Sequence, residues 1–324
     1  MEDFTLGSRV SLRDMLVDAE QRLARSQVPS PSFDAAELAA YVLGTTRTRM
    51  VLQDPFTPEQ RVQYEQLITQ RCARVPLQHL TGTAGFRRIE LAVGPGVFIP
   101  RPETELLTEA AVRTLGTAAP AERIAVDLCA GSGAVAISLA TEVADAKVFA
   151  VELSDEALRW TTRNATAYSA DVRAVRSHLE VVHADATTCA EPGGPLSSLA
   201  GSVSVVTANP PYVPAGMIPN EVEVRDFDPA MALYGGDDGL DVIRGIIRTA
   251  AILLRRGGLL VMEHADVQGV DAGLHGVPGT LTAHVADAEL ETMTHTPAGH
   301  ALWARVDDRP DLNHKPRFTL ATRR

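Results

Sequence analysis

From Arg123 onward, short apolar segments alternate with segments of helical spacing, and this alternation restricts the fold more than any other feature of the chain. The pattern is typical of a parallel β-sheet with helices on both faces, because its strands are buried on both sides. The sequence therefore predicts an α/β fold. The segments predicted to form its strands are residues 124–128, 147–151, 179–182, 203–207 and 259–263. Ligands of open α/β sheets bind at the carboxyl ends of such strands.

The first predicted strand runs into a glycine-containing turn, from Asp127 to Gly133. A dinucleotide fold places three glycines in such a turn to admit a pyrophosphate, and a P-loop adds a lysine. This turn has only Gly131 and Gly133, and no lysine follows it directly. It fits a ligand that needs close backbone approach but carries no phosphate, such as S-adenosylmethionine. Glu152, at the end of the next strand, is placed to bind both hydroxyls of a ribose.

A rigid loop, Asn209-Pro210-Pro211-Tyr212, follows the predicted strand at 203–207. Each proline fixes φ and lacks an N–H, and a residue before proline is held extended. Such a loop can aim the carbonyl oxygens of Asn209 and Pro210 at one planar NH2 group, whose nitrogen then faces an electrophilic methyl. A simple strand-terminating turn is the alternative interpretation. In combination with the glycine turn, the loop indicates methyl transfer to an amide or amino nitrogen.

A second rigid segment, residues 94–105, precedes the predicted strands. Pro100 and Pro102 stiffen it before a helix that we expect to begin near Glu103. Phe98 is an aromatic residue in this otherwise rigid stretch. Two interpretations stay open for its ring, which either belongs to the core or covers the substrate.

Residues 1–76 are predicted to form a small helical domain. Ser11 is a candidate helix cap with Asp14 at the capping-box position, and Thr57 with Gln60 is a second such pair. The helix after Thr57 is predicted to bury Val62, Leu67, Ile68 and Cys72. The domain is either a packing module or a module that holds a protein substrate.

Charge and cysteine content argue against several classes of protein. A net charge of −11 is a poor match for binding a polyphosphate backbone. Cys72, Cys129 and Cys189 are widely separated, so neither a disulfide framework nor a cysteine-based metal site is indicated. The first residues are acidic, and no apolar stretch reaches the ~20 residues of a membrane span. We expect a cytoplasmic, reduced protein.

Several blocks of the sequence resemble a known family, the release-factor glutamine methyltransferases, called PrmC or HemK. The matching blocks are residues 74–82, 94–105, 127–133, 209–212 and 223–241. The resemblance implies a helical domain over residues 1–76, a β-hairpin linker over 77–96 and a class I, Rossmann-like methyltransferase domain over 97–324. A seven-stranded, mostly parallel sheet belongs to that fold.

The resemblance also implies an activity and a set of site residues. With S-adenosylmethionine as cofactor, such enzymes methylate the side-chain amide of the Gln in the Gly-Gly-Gln loop of bacterial peptide-chain release factors. Asn209 and Pro210 would be the catalytic residues. The implied substrate-binding residues are Asn209, Pro210, Pro211, Tyr212 and Phe98. The implied cofactor-binding residues are Cys129, Ala130, Gly131, Ser132, Gly133, Glu152, Asp185, Ala186 and Asn209.

The chain departs from the family pattern at three positions. Cys129 stands where the family usually has Gly, Ala186 where an aromatic is common, and Ser204 where Asp is frequent. The first departure should alter the fit around the methionine part of the cofactor. The second removes a stacking partner for the adenine.

Two other functions fit parts of the sequence. An adenine-N6 DNA or RNA methyltransferase uses the same kind of loop on a flipped base, but the acidic charge balance argues against it. A ribosome-associated binding module with a decayed site is the other alternative, and the intact 209–212 loop argues against that. We expect release factors as partners, no direct nucleic-acid or membrane binding, no bound metal, and a monomer.

Overall fold

The computed structural model describes residues 11–50, 52–53, 55–265, 268, 303–311 and 314–324. These residues fall into two compact units. The helical unit comprises the described residues within Met1–Thr83 together with Pro219–Phe227. The sheet unit comprises those within Ala84–Ile218 and Asp228–Arg324.

The helices and strands alternate in the order that a parallel sheet requires from residue 124 onward. The α-helices are α1 (Leu12–Arg25), α2 (Pro31–Val42), α3 (Arg47–Met50), α4 (Pro58–Cys72), α5 (Leu77–Thr81), α6 (Pro102–Thr117), α7 (Ala134–Glu142), α8 (Asp155–Ala167), α9 (Ser169–Ala174), α10 (Val222–Phe227), α11 (Ala230–Leu233) and α12 (Asp241–Leu253). The strands are β1 (Thr83–Phe86), β2 (Ile89–Ala92), β3 (Ile124–Leu128), β4 (Lys147–Glu152), β5 (His178–His183), β6 (Val203–Ala208), β7 (Leu254–Glu263), β8 (Trp303–Pro310) and β9 (Pro316–Arg323).

In the helical unit, the predicted helix caps are confirmed. Ser11 Oγ accepts a hydrogen bond from the Asp14 N–H at the start of α1, and Thr57 and Gln60 form both bonds of a capping box at α4. The predicted buried face of α4 is wrong at Val62, which is 58% exposed. Tyr64 is buried instead, because its hydroxyl reaches the Ala35 carbonyl and so satisfies the polar end of the ring.

A buried ion-pair cluster joins distant parts of the helical unit. The Arg71 Nε donates to Asp34 at 2.7 Å, and another guanidinium nitrogen donates to Glu223 at 2.9 Å. Arg74 donates to both carboxylate oxygens of the same Glu223. The Arg71 and Asp34 side chains are only 6% and 7% exposed. Pro219–Phe227 therefore packs with the helical unit, although the sequence placed it in the methyltransferase domain.

The segment expected to form the hairpin linker begins with a helix. Pro76 stands at the N-cap of α5, and Gly82, with φ of 76°, ends it in the left-handed conformation that favours glycine. The hairpin itself comprises only β1 and β2. Arg87 lies in the turn between β1 and β2, and it donates to Glu142 at 2.8 Å and to Glu109 at 2.8 Å. Because these acids lie on α7 and α6, the arginine attaches the hairpin to the helices of the sheet unit.

The seven-stranded, mostly parallel sheet predicted from the family resemblance is confirmed. Its strand order is β5-β4-β3-β6-β7-β9-β8. Strands β3 to β7 are parallel, and β9 runs antiparallel between β7 and β8. The chain moves outward from β3 to β5 on one side and returns to the other side of β3 with β6. The gap between β3 and β6 is therefore the topological switch point, where open α/β sheets bind ligands.

Helices cover both faces of this sheet. Leu107 and Leu115 of α6 and Ile137 of α7 pack with alternate strand residues on one face. On the other face, Ile246 and Leu253 of α12 pack with the intervening strand residues. Each fully buried aliphatic side chain stabilises the fold by about 1.5–3 kcal/mol relative to exposure. In the part of the chain that the structure describes, no helix combines the length and apolarity of a membrane span.

Candidate active site

The strand register brings four residues to the carboxyl ends of the neighbouring strands β4, β3, β6 and β7. Leu128 pairs with Val151 on one side and with Ala208 on the other, and Ala208 pairs with Met262. Adjacent strands lie about 4.8 Å apart, so four neighbouring strand ends span about 15 Å. The residues that follow these paired positions are Cys129, Glu152, Asn209 and Glu263.

The glycine turn has a tightly constrained backbone. Gly131 and Gly133 have φ of 57° and 85°, and Cys129, with φ of 62°, also adopts the left-handed conformation. A Cβ on Gly133 would lie 3.1 Å from Ile137 Cδ1, so this glycine allows close packing of the turn on α7. A Cβ on Gly131 would meet nothing within 4 Å. The turn therefore leaves open space beside Gly131 at the switch point.

The buried carboxyl of Asp127 holds the start of the glycine turn in place. Its Oδ2 accepts a hydrogen bond from the Ala136 N–H at 3.2 Å, and its Oδ1 accepts one from Thr207 Oγ1 at 2.8 Å. Burial raises the pKa of the Asp127 carboxyl to about 7, against the opposing effect of these two hydrogen bonds. The carboxyl ties the first turn of α7 and strand β6 to the end of β3.

Glu152 lies at the end of β4, where the sequence placed it. Its Oε2 accepts a hydrogen bond from the Gly131 N–H at 2.7 Å, and its Oε1 accepts from Leu153 and Ser154 at 2.9 and 2.8 Å. These backbone donors were not foreseen from the sequence. A carboxylate has about four acceptor positions, so it can hold the turn and still accept a hydroxyl.

The residues implied for the adenine follow β5. Asp185 is exposed, and its Oδ1 accepts hydrogen bonds from the N–H and the hydroxyl of Thr187 at 2.8 and 2.6 Å. Ala186 is buried. Because β5 is the strand next to β4, these residues lie one strand further from the switch point than Glu152.

Asn209 lies at the end of β6, half-buried, in a hydrogen-bonded chain of side chains. Its Nδ2 donates to Thr104 Oγ1 at 3.4 Å, and that hydroxyl donates to Glu263 Oε2 at 2.7 Å. The Tyr212 hydroxyl donates to the other oxygen, Glu263 Oε1, at 3.3 Å. Sequence reasoning assigned no role to Thr104 or Glu263. Their signals were a place in the rigid 94–105 segment and a place at the end of a predicted strand.

The rest of the 209–212 loop is held by packing. Pro210 and Pro211 are buried. A Cβ on Gly235 would lie 2.5 Å from the Pro211 carbonyl oxygen, and one on Gly239 would lie 2.3 Å from that of Tyr212. These two glycines therefore allow the following segment to lie directly against the loop backbone.

Phe98 is half-buried in the sheet unit. The guanidinium carbon of Arg101 lies 4.9 Å from the centroid of its ring, and Arg101 also donates to Asp228 at 2.8 Å. A cation over the ring face holds the ring orientation through the quadrupole of the aromatic system. Whether the ring covers a substrate remains a prediction.

These residues fit S-adenosylmethionine. The turn offers backbone approach beside Gly131, and the Glu152 carboxylate lies against that same turn. The turn from Asp127 to Gly133 contains no basic side chain that would pair with a phosphate. Asn209, on the neighbouring strand, offers an amide with separate donor and acceptor atoms. The arrangement can bind a phosphate-free nucleoside cofactor and a planar NH2 group side by side.

Two family models match the chain. A model described as PrmC N-terminal domain matches residues 14–82. A model described as methyltransferase small domain matches residues 89–216. The first match lies in the helical unit and the second contains the glycine turn, Glu152 and the 209–212 loop.

Curated relatives match over almost the whole chain. A release factor glutamine methyltransferase of Streptomyces coelicolor is 43% identical over 310 residues, which are 94% of this chain and 96% of the relative. That of Mycolicibacterium smegmatis is 41% identical over 312 residues, 96% of this chain and 98% of the relative. That of Deinococcus radiodurans is 35% identical over 317 residues, 97% and 99% of the two chains. The chain belongs to the release factor glutamine methyltransferase family.

Proposed function

We propose that this protein transfers the methyl group of S-adenosylmethionine to the side-chain amide nitrogen of the Gln in the Gly-Gly-Gln loop of bacterial peptide-chain release factors. One observation carries the proposal most directly. Asn209 and the glycine turn follow paired residues of β6 and β3, on either side of the switch point. The residue proposed to bind the substrate amide thus lies one strand away from the glycine turn, which fits a cofactor without phosphate.

In this proposal the cofactor is held by residues of three neighbouring strand ends. Cys129 to Gly133 surround its methionine and ribose parts, Glu152 accepts from a ribose hydroxyl, and Asp185 with Ala186 borders the adenine. When bound, S-adenosylmethionine supplies an electrophilic methyl group on a sulfonium and leaves as the neutral thioether S-adenosylhomocysteine. Glu152 can serve here because the hydrogen bond from the Gly131 N–H already fixes the direction of its carboxylate.

Asn209 and Pro210 perform the positioning that the reaction needs. An amide nitrogen is a poor nucleophile, so catalysis depends on holding it in line with the methyl carbon. Asn209 donates to Thr104 through Nδ2, which directs its other amide atom, Oδ1, away from that contact as an acceptor for one N–H of the substrate. The Pro210 carbonyl accepts the other. Both contacts strengthen as positive charge develops on the nitrogen, which then releases one proton to solvent.

The partner that this reading favours is a release factor, the substrate class in the names of the curated relatives. The net charge of −11 disfavours a nucleic-acid partner. The helical unit, with its match to a PrmC N-terminal domain, is the segment we assign to recognition of the protein substrate. We assign a monomeric state to the enzyme.

The proposal is tested by single-turnover transfer of labelled methyl from S-adenosylmethionine. The acceptors are a full-length release factor, the same factor with the glutamine of its Gly-Gly-Gln loop changed to alanine, and an adenine-containing DNA duplex. We expect label on the first acceptor alone, with mass spectrometry locating it on that glutamine. Label on the glutamine-free factor or on the duplex would overturn the substrate assignment.

A further inference from the structure

We propose that Glu263 and Thr104 are positioning residues that determine which atom of the Asn209 side-chain amide faces the substrate. The proposal rests on the proposed function, because it concerns the orientation of the amide that binds the substrate nitrogen. An Asn amide has a donor end and an acceptor end of nearly the same shape. Only the acceptor end can bind the N–H of a substrate amide, so an amide turned by half a rotation would repel it.

The orientation follows from a fixed direction of hydrogen bonding. A carboxylate only accepts hydrogen bonds, so the contact of 2.7 Å between Thr104 Oγ1 and Glu263 Oε2 uses the single hydroxyl proton of Thr104. The threonine oxygen then has only lone pairs for its next neighbour. Asn209 must therefore present Nδ2, as the structure shows, and Oδ1 is the atom directed elsewhere.

Glu263 is buried, and both of its carboxylate oxygens already accept hydrogen bonds. It is 2% exposed, and its second oxygen accepts from the Tyr212 hydroxyl at 3.3 Å. Thr104 is 4% exposed, so water does not compete readily for these bonds. Burial raises the pKa of the Glu263 carboxyl, and the two hydroxyl donors together with the positive charge of Arg317 oppose that rise. The acceptor role of Glu263 therefore rests on the contact geometry, in which each of its two oxygens faces a hydroxyl donor.

The same helix offers a matched control. Thr108 lies one turn after Thr104 in α6, is fully buried, and donates its hydroxyl hydrogen bond to the Thr104 carbonyl oxygen. Thr108→Val therefore removes a buried hydroxyl of the same kind without touching the Asn209 chain. Thr104→Val removes the hydroxyl of the chain at nearly constant volume, whereas Thr104→Ser retains it.

The experiment measures methyl transfer to a full-length release factor at saturating S-adenosylmethionine, with cofactor affinity from calorimetry and melting temperature for every variant. We expect Thr104→Val, and Glu263→Leu, which offers Thr104 no acceptor, to lower kcat by about 10- to 100-fold, the effect of misplacing a reacting group. The KM for release factor and the Kd for cofactor should change less than about threefold, since the binding surface stays in place. Thr104→Ser and Thr108→Val should stay within about threefold of the unchanged enzyme in kcat.

A double-mutant comparison separates positioning from general disruption. If Thr104 acts through Asn209, then Thr104→Val in an Asn209→Ala background should add less than about a twofold loss of kcat. Near-normal kcat of Thr104→Val, an equal loss in Thr108→Val, or full additivity with Asn209→Ala would each overturn the inference. Failure of the proposed function gives a different result, because the unchanged enzyme would then not label the glutamine at all.

Discussion

Thr207 donates a hydrogen bond of 2.8 Å to the buried carboxyl of Asp127, and this bond joins the strand before the cofactor turn to the strand before Asn209. The glycine turn and the Asn209 loop are therefore connected by a side-chain hydrogen bond as well as by the pairing of β3 with β6. The same carboxyl also accepts from the Ala136 N–H in the first turn of α7. A change at Asp127 should consequently affect both the turn and the stability of the sheet unit.

The Asp127 carboxyl should make stability depend on pH. Its pKa is raised from 3.8 to about 7, so the native state binds a proton more tightly than the unfolded state. Between these two values the free energy of unfolding should fall as pH rises, because the unfolded state releases the proton that the native state still holds. Asp127→Asn should remove this slope because an amide does not titrate, and the fold should survive because the amide can accept from Ala136 and donate to Thr207. Urea unfolding of both proteins across that range tests this, and parallel curves would contradict it.

Glu152→Ala should weaken cofactor binding by ~10-fold or more, because it removes the ribose acceptor and the bond that holds the Gly131 N–H. It should also lower the free energy of unfolding by about 1–3 kcal/mol, since three backbone donors lose their partner. Titration calorimetry and denaturant unfolding measure the two effects. Asp155→Ala, at an exposed acid three residues on, is the control, which should leave cofactor affinity unchanged and lower stability by less, because only a first-turn charge of α8 and an exposed contact with His183 are lost. Unaltered cofactor affinity in Glu152→Ala would remove the ribose assignment.

Phe98→Ala distinguishes a substrate cover from a core residue. We expect methyl transfer to fall by about 10-fold or more through lost substrate positioning, with a stability loss of about 1–2 kcal/mol for a half-buried ring. Val97 is fully buried and serves as the matched control. Val97→Ala should lower the melting temperature at least as much while the folded enzyme keeps its turnover. Normal turnover by Phe98→Ala would show that the ring belongs to the core.

Cys129 has a backbone conformation that glycine adopts more readily than a residue with a side chain. A side chain at φ of 62° costs roughly 1–2 kcal/mol, and a β-branched side chain is tolerated least there. Cys129→Gly should therefore change the free energy of unfolding by less than about 1 kcal/mol, because relief of strain offsets the greater chain entropy of glycine. Cys129→Val should destabilise the protein by about 2 kcal/mol or more. Equal stabilities of the two variants in thermal unfolding would refute this reading of the turn.

Asn209→Ala tests the residue on which the proposed chemistry depends most. The change removes the acceptor for the substrate N–H and should lower turnover by ~100-fold or more, the scale of one positioned transition-state contact. Cofactor affinity should stay within a few-fold, because Glu152 and the glycine turn are untouched. Single-turnover methyl transfer and calorimetry give both values. Near-normal transfer would show that the amide is not positioned by this side chain.

Local sequence signals predicted the elements whose determinants are local. The glycine turn, the helix caps and the buried strands each follow from residues a few positions apart, and the register then aligned the ends of β3, β4 and β6. The hydrogen bond between Thr104 and Glu263 joins residues 159 positions apart, so no neighbouring residue indicates it. The burial of Tyr64 in place of Val62 was likewise not indicated locally, because it depends on the distant Ala35 carbonyl.

The ion pairs of Glu223 with Arg71 and Arg74 have a consequence for synthesis of the chain. Their partners are 152 and 149 positions earlier, so a ribosome must translate most of the methyltransferase segment before the helical unit can acquire its last helix. Arg71, whose side chain is 6% exposed, and Arg74 cannot form these ion pairs until Glu223 has been translated. The first part of the chain to emerge is thus among the last to be completed, and a fragment ending near residue 83 would carry that deficit permanently.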